Sequence, residues 1–372
     1  MRYYIQFLVA LIFFQYFISC NTKENQKVKL EVVVEEKLTA EKQSVVDFIE
    51  GYINSVFDST SLQERNNQWE SSLLYYMQDR FLFQGQSKES FLNNPPKVLG
   101  VRKDSLGSYF VNILFSRGEV PIKIMEMKLQ KDPHNRFYFI DRFSENIKRY
   151  NLFERDGYQF YYSPTCVRDT IAETKAIEYN QRLSDYFERP LKRFRVVVCS
   201  NIDEYNVLHS LKYTDGQNLD YQGGGLAVPD EDLYFSMDSS PYYPHEMVHL
   251  YTSHFEDFYW FDEGLATYLG GSVGYDLDYH LQKIADSLDQ FDFSDIPQND
   301  RVDEMTTYKY AIGGLFIKLA NEEYGGKETI FKLMNYGKKK EDFFAALKEV
   351  FGVEKEELDV FIKAKIKEHY SK

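Results

Sequence analysis

The stretch His245-Glu246-Met247-Val248-His249 is followed by Glu263, with thirteen residues between His249 and that glutamate. Residues four positions apart lie on one face of an α-helix, so a helix over this stretch directs both imidazoles to the same point. Two imidazole nitrogens on one face suit a metal ion, and a carboxylate beside that ion can accept a proton from a water molecule. The stretch therefore predicts a metal-dependent hydrolytic site with Glu246 as its base.

The five-residue pattern also arises without any function. The chain has 7 His in 372 residues, and an accidental match is expected in about one such chain in a hundred. The alternative interpretation is an amphipathic helix with two hydrogen-bonded core histidines. A third ligand favours the metal site, because a catalytic zinc takes three protein ligands and keeps one position open. Glu263, on the short apolar segment 260–269 that predicts a second helix, can supply it.

The segment around Glu263 is close to the W-x-N-E-G-x-A pattern of the aminopeptidase N and leukotriene-A4-hydrolase family; it reads Trp260-Phe261-Asp262-Glu263-Gly264-Leu265-Ala266. Together with H-E-x-x-H, it resembles the gluzincin branch of the thermolysin-like zinc metallopeptidases. The thirteen-residue spacing is shorter than that family usually has. The resemblance covers about residues 155 to 370. It implies that His245, His249 and Glu263 bind Zn²⁺ and that Glu246 is the general base.

A further segment resembles the same family. Residues 310–326 align without a gap with its Y-x-K-G segment, which ends in paired Gly, although the Lys of the pattern is Ile312 here. The resemblance implies that Tyr310, or failing it Tyr308, donates a hydrogen bond to the oxyanion of a tetrahedral intermediate. Gly313 and Gly314 each destabilise a helix by roughly 0.5 to 1 kcal/mol relative to Ala, which indicates a close approach at this face. A core tyrosine in ordinary helix packing is the competing interpretation.

Other third ligands fit the sequence less well. A metzincin site requires Gly at position 252 and His at 255, where the chain has Thr252 and Phe255, so that class is excluded. Glu256 and Asp257 would have to fold back from the end of the same helix. The remaining nearby histidines are interpreted as surface residues or as residues behind the ligands: His254 and His280.

A glycine-rich run precedes the H-E-x-x-H stretch and reads Gly223-Gly224-Gly225-Leu226-Ala227-Val228. It resembles the edge strand on which gluzincins hold an extended peptide through backbone hydrogen bonds, and Gly lets a second backbone approach closely. The resemblance implies substrate binding at Gly224, Gly225, Leu226 and Ala227. A flexible glycine loop is the alternative. No residue clearly matches the acidic group that aminopeptidases use beside this strand, so exopeptidase activity does not carry over.

The N-terminus predicts export. Arg2 precedes an apolar run from Tyr3 to Ile18, which is short for a membrane span and ends in Ser19-Cys20 before a polar segment. This resembles a bacterial lipoprotein signal, which implies a signal peptide over 1–19, lipidation of Cys20 and a tether over 20–30. The expected location is the cell envelope, on its periplasmic or exterior side. A plain signal peptide and an uncleaved anchor are the alternatives.

Composition limits the partners. The formal net charge is −14 and the pI is about 5.1, so a nucleic-acid backbone or an anionic membrane surface would repel the protein. The expected partners are a peptide or protein substrate and, through the lipid anchor, a membrane. Cys166 and Cys199 could pair in an exported protein, and two free buried thiols are equally consistent with the sequence.

The hydrophobic pattern predicts an α+β protein of two domains. Over 31–150 a helix beginning near Thr39 precedes strands at 109–115, 122–129 and 136–140, with a bulge between Ile124 and Met125. This order resembles the cone-shaped NTF2-like domains. Over 155–372 the pattern predicts strands at 158–162 and 194–199, an intervening helix, and a mostly helical C-terminal half. The resemblance implies that this second domain has a thermolysin-like metallopeptidase fold.

These observations predict a membrane-anchored zinc metallopeptidase. Two other functions remain open at this stage. One is an inactive zinc-binding or protein-interaction scaffold of the cell envelope, against which the intact general base Glu246 argues. The other is a zinc hydrolase with a non-peptide substrate, because a related family member opens an epoxide at the same metal.

Overall fold

The computed structural model describes residues 27–33, 38–57, 69, 87–214, 224–253, 255, 260–295 and 301–370. The predicted lipidation residue Cys20, the signal segment 1–19 and most of the tether lie outside these residues, as do His254, Glu256 and Asp257. Within the part that is described, no helix is both long enough and apolar enough to cross a membrane. Cys166 and Cys199 are both free thiols, as the unpaired alternative predicts, but only Cys199 is buried and Cys166 is partly buried.

Secondary structure covers most of the described residues. The strands are β1 (Glu31–Val32), β2 (Lys97–Lys103), β3 (Tyr109–Arg117), β4 (Val120–Lys131), β5 (Phe137–Ile140), β6 (Asn151–Arg155), β7 (Tyr158–Tyr162), β8 (Arg195–Val198), β9 (Leu211–Thr214), β10 (Gly225–Val228) and β11 (Leu233–Ser236). The helices are α1 (Ala40–Phe57), α2 (Lys88–Asn93), α3 (Arg142–Asn146), α4 (Thr170–Phe187), α5 (Ile202–Leu208), α6 (Pro244–Thr252), α7 (Asp262–Gly270), α8 (Leu277–Ala285), α9 (Tyr308–Glu322), α10 (Lys327–Leu333), α11 (Lys340–Phe351) and α12 (Leu358–Tyr370). The structure is a mixture of helices with two sheets, which is compatible with the predicted α+β class.

The chain forms two compact units. The first unit comprises Met1–Lys148 and Tyr205–Asn218, and the second comprises Arg149–Glu204 and Leu219–Lys372. The hydrophobic pattern predicts 205–218 as part of the later domain, but β9 in this segment pairs with β4 of the first unit, where Lys123 lies opposite Thr214. Strand β9 has only four residues, which are too few to show a clear alternation of apolar and polar side chains. The sequence therefore gives no sign that β9 pairs with the distant strand β4.

The first unit packs α1 on a sheet with the strand order β1-β2-β3-β4-β5, and β9 also pairs with β4. The buried face of α1 carries Val45, Ile49 and Ile53, at the spacing expected of an amphipathic helix. The pairing of β4 with β9 shifts register between Ile124 and Met125, where the sequence predicts a bulge.

The second unit contains a sheet of order β10-β11-β8-β7-β6. Strands β6 and β7 form a hairpin, and β7, β8 and β11 run parallel to one another. Buried Val196, Val197 and Val198 leave no polar face on β8, as is usual for a parallel strand inside a sheet. Strand β10 is antiparallel to β11, and among the described strands it pairs with no other, so it forms one edge of the sheet.

Candidate metal centre

Helix α6 places the two histidines of the H-E-x-x-H stretch side by side. The helix begins at Pro244, whose ring is tolerated in a first turn because the missing N–H has no partner within the helix. The imidazole centroids of His245 and His249 lie 5.1 Å apart. Their common helix face is the one that the four-residue spacing predicts.

Glu263, in the first turn of α7, completes a three-residue cluster. One carboxylate oxygen, Oε2, lies 3.1 Å from Nε2 of His245 and 3.4 Å from Nε2 of His249. The candidate ligand atoms of these three residues all lie within 4.8 Å of one another, so the cluster could hold a metal ion. Helix α7 thus contributes the residue that the sequence predicts as third ligand.

Each histidine is oriented through its other ring nitrogen. His245 donates from Nδ1 to the Gly271 carbonyl oxygen at 2.8 Å, and His249 donates from Nδ1 to Oδ1 of Asp262 at 3.2 Å. A carbonyl or carboxylate acceptor keeps a proton on Nδ1, so Nε2 is the ring nitrogen that faces Glu263. The Thr252 hydroxyl donates to the same Asp262 oxygen at 3.1 Å, which holds that carboxylate in place.

Charge is concentrated at His249 and Glu263. Burial lowers the pKa of His249, but the carboxylates of Asp262 and Glu263 more than offset it and raise that pKa well above its ordinary value. Burial alone would raise the pKa of Glu263, but His249 and His245 hold it well below its usual range. A metal ion at the Nε2 atoms would therefore replace a proton in a site already arranged for positive charge.

Glu246 lies outside this cluster and against the edge strand. It is 8% exposed, and the backbone N–H of Ala227 in β10 donates to its carboxylate. Burial raises the pKa of Glu246 and the Glu263 charge adds to this, whereas His245, His249 and the Ala227 N–H oppose it; the net shift is upward. A β-carbon built at Gly225 would lie 2.3 Å from Cγ of Glu246, so only glycine at this position leaves room for the carboxylate.

The register of β10 divides the four predicted substrate-binding residues into two pairs. The Met237 N–H donates to the Gly224 carbonyl at 2.9 Å, and Leu226 lies opposite Phe235. In an antiparallel ladder such hydrogen-bonded residues alternate with residues whose backbone groups point away. The backbone groups of Gly224 and Leu226 therefore face β11, whereas those of Gly225 and Ala227 face the edge beside Glu246, with which no other described strand pairs.

The structure distinguishes the two candidate tyrosines. The Tyr310 ring stacks on His245 with 5.5 Å between centroids, and its hydroxyl donates to Glu263. Burial, followed by the charges of Glu263 and Glu246, raises the pKa of Tyr310, so the hydroxyl keeps its proton. Tyr308 instead stacks on Phe293 at 5.6 Å in an aromatic cluster. Because residues two apart point to opposite sides of a helix, only Tyr310 meets the cluster.

Glycines allow the helices of the site to approach closely. A β-carbon at Gly264 would lie 2.2 Å from the backbone carbon of Gly313, and one at Gly314 would lie 2.5 Å from Leu277. The elements that approach the paired glycines of α9 are therefore α7, the helix of Glu263, and Leu277 at the start of α8. The same holds at the end of α7, where a β-carbon on Gly270 would lie 2.6 Å from the backbone of His245.

The sequence motifs do not predict Asp262 and Gly271 as the partners of the two histidines. The acidic residue directly before Glu263 was an available signal, because a carboxylate commonly orients a histidine ligand. Gly271 has a φ of 77°, and a β-carbon there would lie 2.5 Å from the Tyr275 carbonyl oxygen. Its role comes from a backbone carbonyl, for which a side-chain pattern gives no signal. His280 is 2% exposed, which excludes the surface interpretation of that residue.

Comparison with known proteins adds no relative. No protein-family model matches the chain, and no curated protein matches it. The chemistry of the candidate site is therefore inferred from its residues and their geometry alone.

Proposed function

We propose that this protein is a zinc-dependent peptidase of the gluzincin type, anchored to a bacterial envelope membrane through Cys20. The observation that carries the proposal is the convergence of His245, His249 and Glu263 within 4.8 Å. Beside them Glu246 lies buried against an open strand edge. This combination supports hydrolysis better than simple metal storage, because a storage site requires no carboxylate next to its ligands.

The ligand set fits zinc. Two imidazole nitrogens and one carboxylate oxygen form one of the ligand combinations of catalytic zinc sites, whereas Mg²⁺ and Ca²⁺ prefer oxygen ligands. Both Nδ1 atoms already donate to fixed acceptors, so the Nε2 atoms are the ones available to an ion. Three protein ligands leave one position for water or substrate, and zinc in such a site acidifies water and polarises a carbonyl group.

Glu246 is the proposed general base. Its carboxylate takes a proton from the water that attacks the scissile carbonyl, and then passes this proton to the leaving amine. Burial shifts its pKa upward, toward the range in which one group both accepts and releases a proton near neutral pH. The Ala227 N–H holds the carboxylate at the edge strand, where a bound peptide would lie.

Tyr310 and β10 are proposed to bind the reacting peptide. The Tyr310 hydroxyl remains protonated and lies at Glu263, so it can donate to negative charge that develops on the carbonyl oxygen. An extended peptide would pair with the outward backbone groups of Gly225 and with the Ala227 carbonyl, as a strand added to a sheet edge, while the Ala227 N–H holds Glu246. Gly224 and Leu226 would support this edge through their pairing with β11.

The same proposal includes a particular fold for each unit and a lipid anchor at Cys20. The sheet with an antiparallel edge strand beside α6, followed by helices, supports a thermolysin-like fold for the second unit. A helix on a bulged antiparallel sheet is compatible with an NTF2-like first unit. The anchor depends on the apolar run that ends at Cys20. Replacing Cys20 by Ala should abolish labelling by a fatty-acid analogue, and unchanged labelling would exclude the anchor.

The decisive experiment combines metal analysis of the purified full-length protein with digestion of a peptide library. We expect one zinc per chain and cleavage of peptide bonds. Glu246→Gln should retain zinc and lose hydrolysis by a factor on the order of 10² to 10⁴. His249→Ala and Glu263→Ala should lose stoichiometric zinc. Full activity of Glu246→Gln would contradict the mechanism, and zinc without cleavage of any peptide would favour the scaffold or a non-peptide substrate.

A further inference from the structure

His280 lies behind the candidate metal centre and takes no part in the chemistry proposed above. It belongs to α8 and is 2% exposed. Its Nε2 lies 3.1 Å from the Ser272 carbonyl oxygen, and its Nδ1 lies 3.0 Å from Oγ1 of Thr306. A carbonyl oxygen can only accept, so Nε2 carries the proton and Nδ1 accepts from the Thr306 hydroxyl. Burial lowers the pKa of His280, which keeps this neutral form.

Through Ser272, His280 is linked to the residue that orients the His245 ring. Ser272 follows Gly271, whose carbonyl oxygen orients the His245 ring. The short loop after α7 is held by reciprocal backbone hydrogen bonds between Ser272 and Tyr275, of 2.8 and 3.0 Å. By holding the next carbonyl along the chain, His280 restricts the rotation of the peptide group that joins Gly271 to Ser272.

Through Thr306, His280 is linked to the helix whose Tyr310 stacks on His245. Thr306 is 1% exposed, and its backbone N–H donates to Oδ1 of Asp303 at 2.7 Å. Helix α9 begins two residues later, and its third residue is Tyr310, whose ring stacks on His245. A single side chain thus joins the loop that orients His245 to the segment that delivers Tyr310.

We propose that His280 is a positioning residue that holds the Gly271 carbonyl and the Tyr310 ring in register around His245. The contacts form a closed circuit from His245 through Gly271, Ser272, His280, Thr306 and α9 back to His245. The inference depends on the proposed function, because it assigns His280 to that same centre. It predicts two separable effects: the Ser272 contact governs metal affinity, and the Thr306 contact governs turnover.

The competing account is that His280 is an ordinary buried histidine. His209 in the first unit is a suitable control, because it is also fully buried and stacks on Phe143 at 5.3 Å. It has no part in the second unit, to which the candidate centre belongs. Loss of a merely structural histidine should lower stability at either position without changing zinc affinity.

The test measures zinc affinity by chelator competition, kcat at saturating zinc, and thermal stability, all on the full-length protein. His280→Leu should weaken zinc binding by a factor on the order of 10 to 100, the usual effect of losing a residue that supports a ligand, and should also lower kcat. His280→Gln should recover most of both values, because its amide can donate to Ser272 and accept from Thr306. Thr306→Val should lower kcat with nearly unchanged zinc affinity, and His209→Leu should change stability alone.

The proposal is wrong if His280→Leu loses stability but binds zinc and turns over as the unsubstituted protein does. Should the leucine variant fail to fold, His280→Gln and His280→Asn decide instead, because the shorter amide cannot reach both partners. Equal zinc affinity in these two variants would overturn the inference. If the proposed function itself is wrong, the unsubstituted protein will lack zinc or fail to cleave peptides. That outcome is distinguishable from a failure of the inference about His280.

Discussion

His209 is fully buried and His249 is partly buried, and their surroundings act on them in opposite directions. In the first unit, His209 lies between the rings of Phe143 and Tyr205, and burial lowers its pKa to about 3. In the second unit, burial also opposes a charge on His249, but Asp262 and Glu263 outweigh it and the pKa rises well above the ordinary value. Neighbouring carboxylates, and not burial, therefore mark the histidine that can take a cation.

The contrast teaches how a candidate site differs from a core. A buried histidine among rings is stable only when neutral, so it adds packing and no chemistry. A histidine between carboxylates retains affinity for a proton or a metal ion. Matched variants, one in the candidate centre and one at a similar residue outside it, test this difference.

The largest effect is expected at Gly225. Gly225→Ala should lower hydrolysis by a factor on the order of 10² to 10⁴, as if the base were removed, because the new β-carbon would displace Glu246. Zinc content should stay unchanged. Peptide cleavage and metal analysis check both results. Gly100→Ala in β2 is the control, since a β-carbon there has no atom within 4 Å; equal activity of the two variants would refute the placement of Glu246.

Tyr310→Phe should come next. Loss of one oxyanion donor lowers kcat by a factor on the order of 10² to 10³ with little change in KM. Zinc content and stability should change little, because the ring that stacks on His245 remains. Tyr308→Phe is the matched control, since that tyrosine packs on Phe293 away from the ligands. If steady-state kinetics show normal turnover for Tyr310→Phe, Tyr310 is a core residue without a role in catalysis.

Asp262→Asn tests the carboxylate that distinguishes His249 from His209. The asparagine keeps an acceptor for His249 and Thr252 but removes the charge, so zinc affinity should fall by a factor on the order of 10 to 100. Chelator competition measures the change. Asp141→Asn provides the comparison in the first unit, where buried Asp141 caps α3. It should affect stability only, and an unaltered zinc affinity in Asp262→Asn would show that the charge is not used.

The sequence predicts the parts of this site that follow from local periodicity. Spacing alone places His245 and His249 on one face, the apolar segment around Glu263 predicts α7, and alternation predicts β7 at its observed bounds. The paired glycines of α9 also predict a close approach. What brings Asp262, Gly271 and Thr306 to their partners is tertiary packing, which no local period encodes. The pairing of β9 with β4 escapes prediction for the same reason, because its two strands are far apart in sequence.

The smallest effect is expected from His209, and it appears as a pH dependence. Its ordinary pKa is 6.5 and its pKa in the folded protein is about 3, so between these values the unfolded chain binds a proton that the folded chain excludes. The free energy of unfolding should therefore fall as the pH is lowered through this window, by up to about 1.4 kcal/mol per pH unit, or about 2 kcal/mol at pH 5. Above pH 6.5 His209 is neutral in both the folded and the unfolded chain, so its protonation no longer lowers the free energy of unfolding.

His209→Leu should reduce this slope, because leucine does not titrate. Denaturant unfolding at pH 7 and pH 5 measures it, with the buried Trp69 as the probe of the first unit in a Trp260→Phe background. Other groups also titrate in this range, so the relevant quantity is the difference in slope between parent and variant. Equal slopes would mean that folded His209 accepts a proton as readily as the unfolded chain does. In that case the contrast with His249 would reflect the carboxylates alone, without the opposing effect of burial.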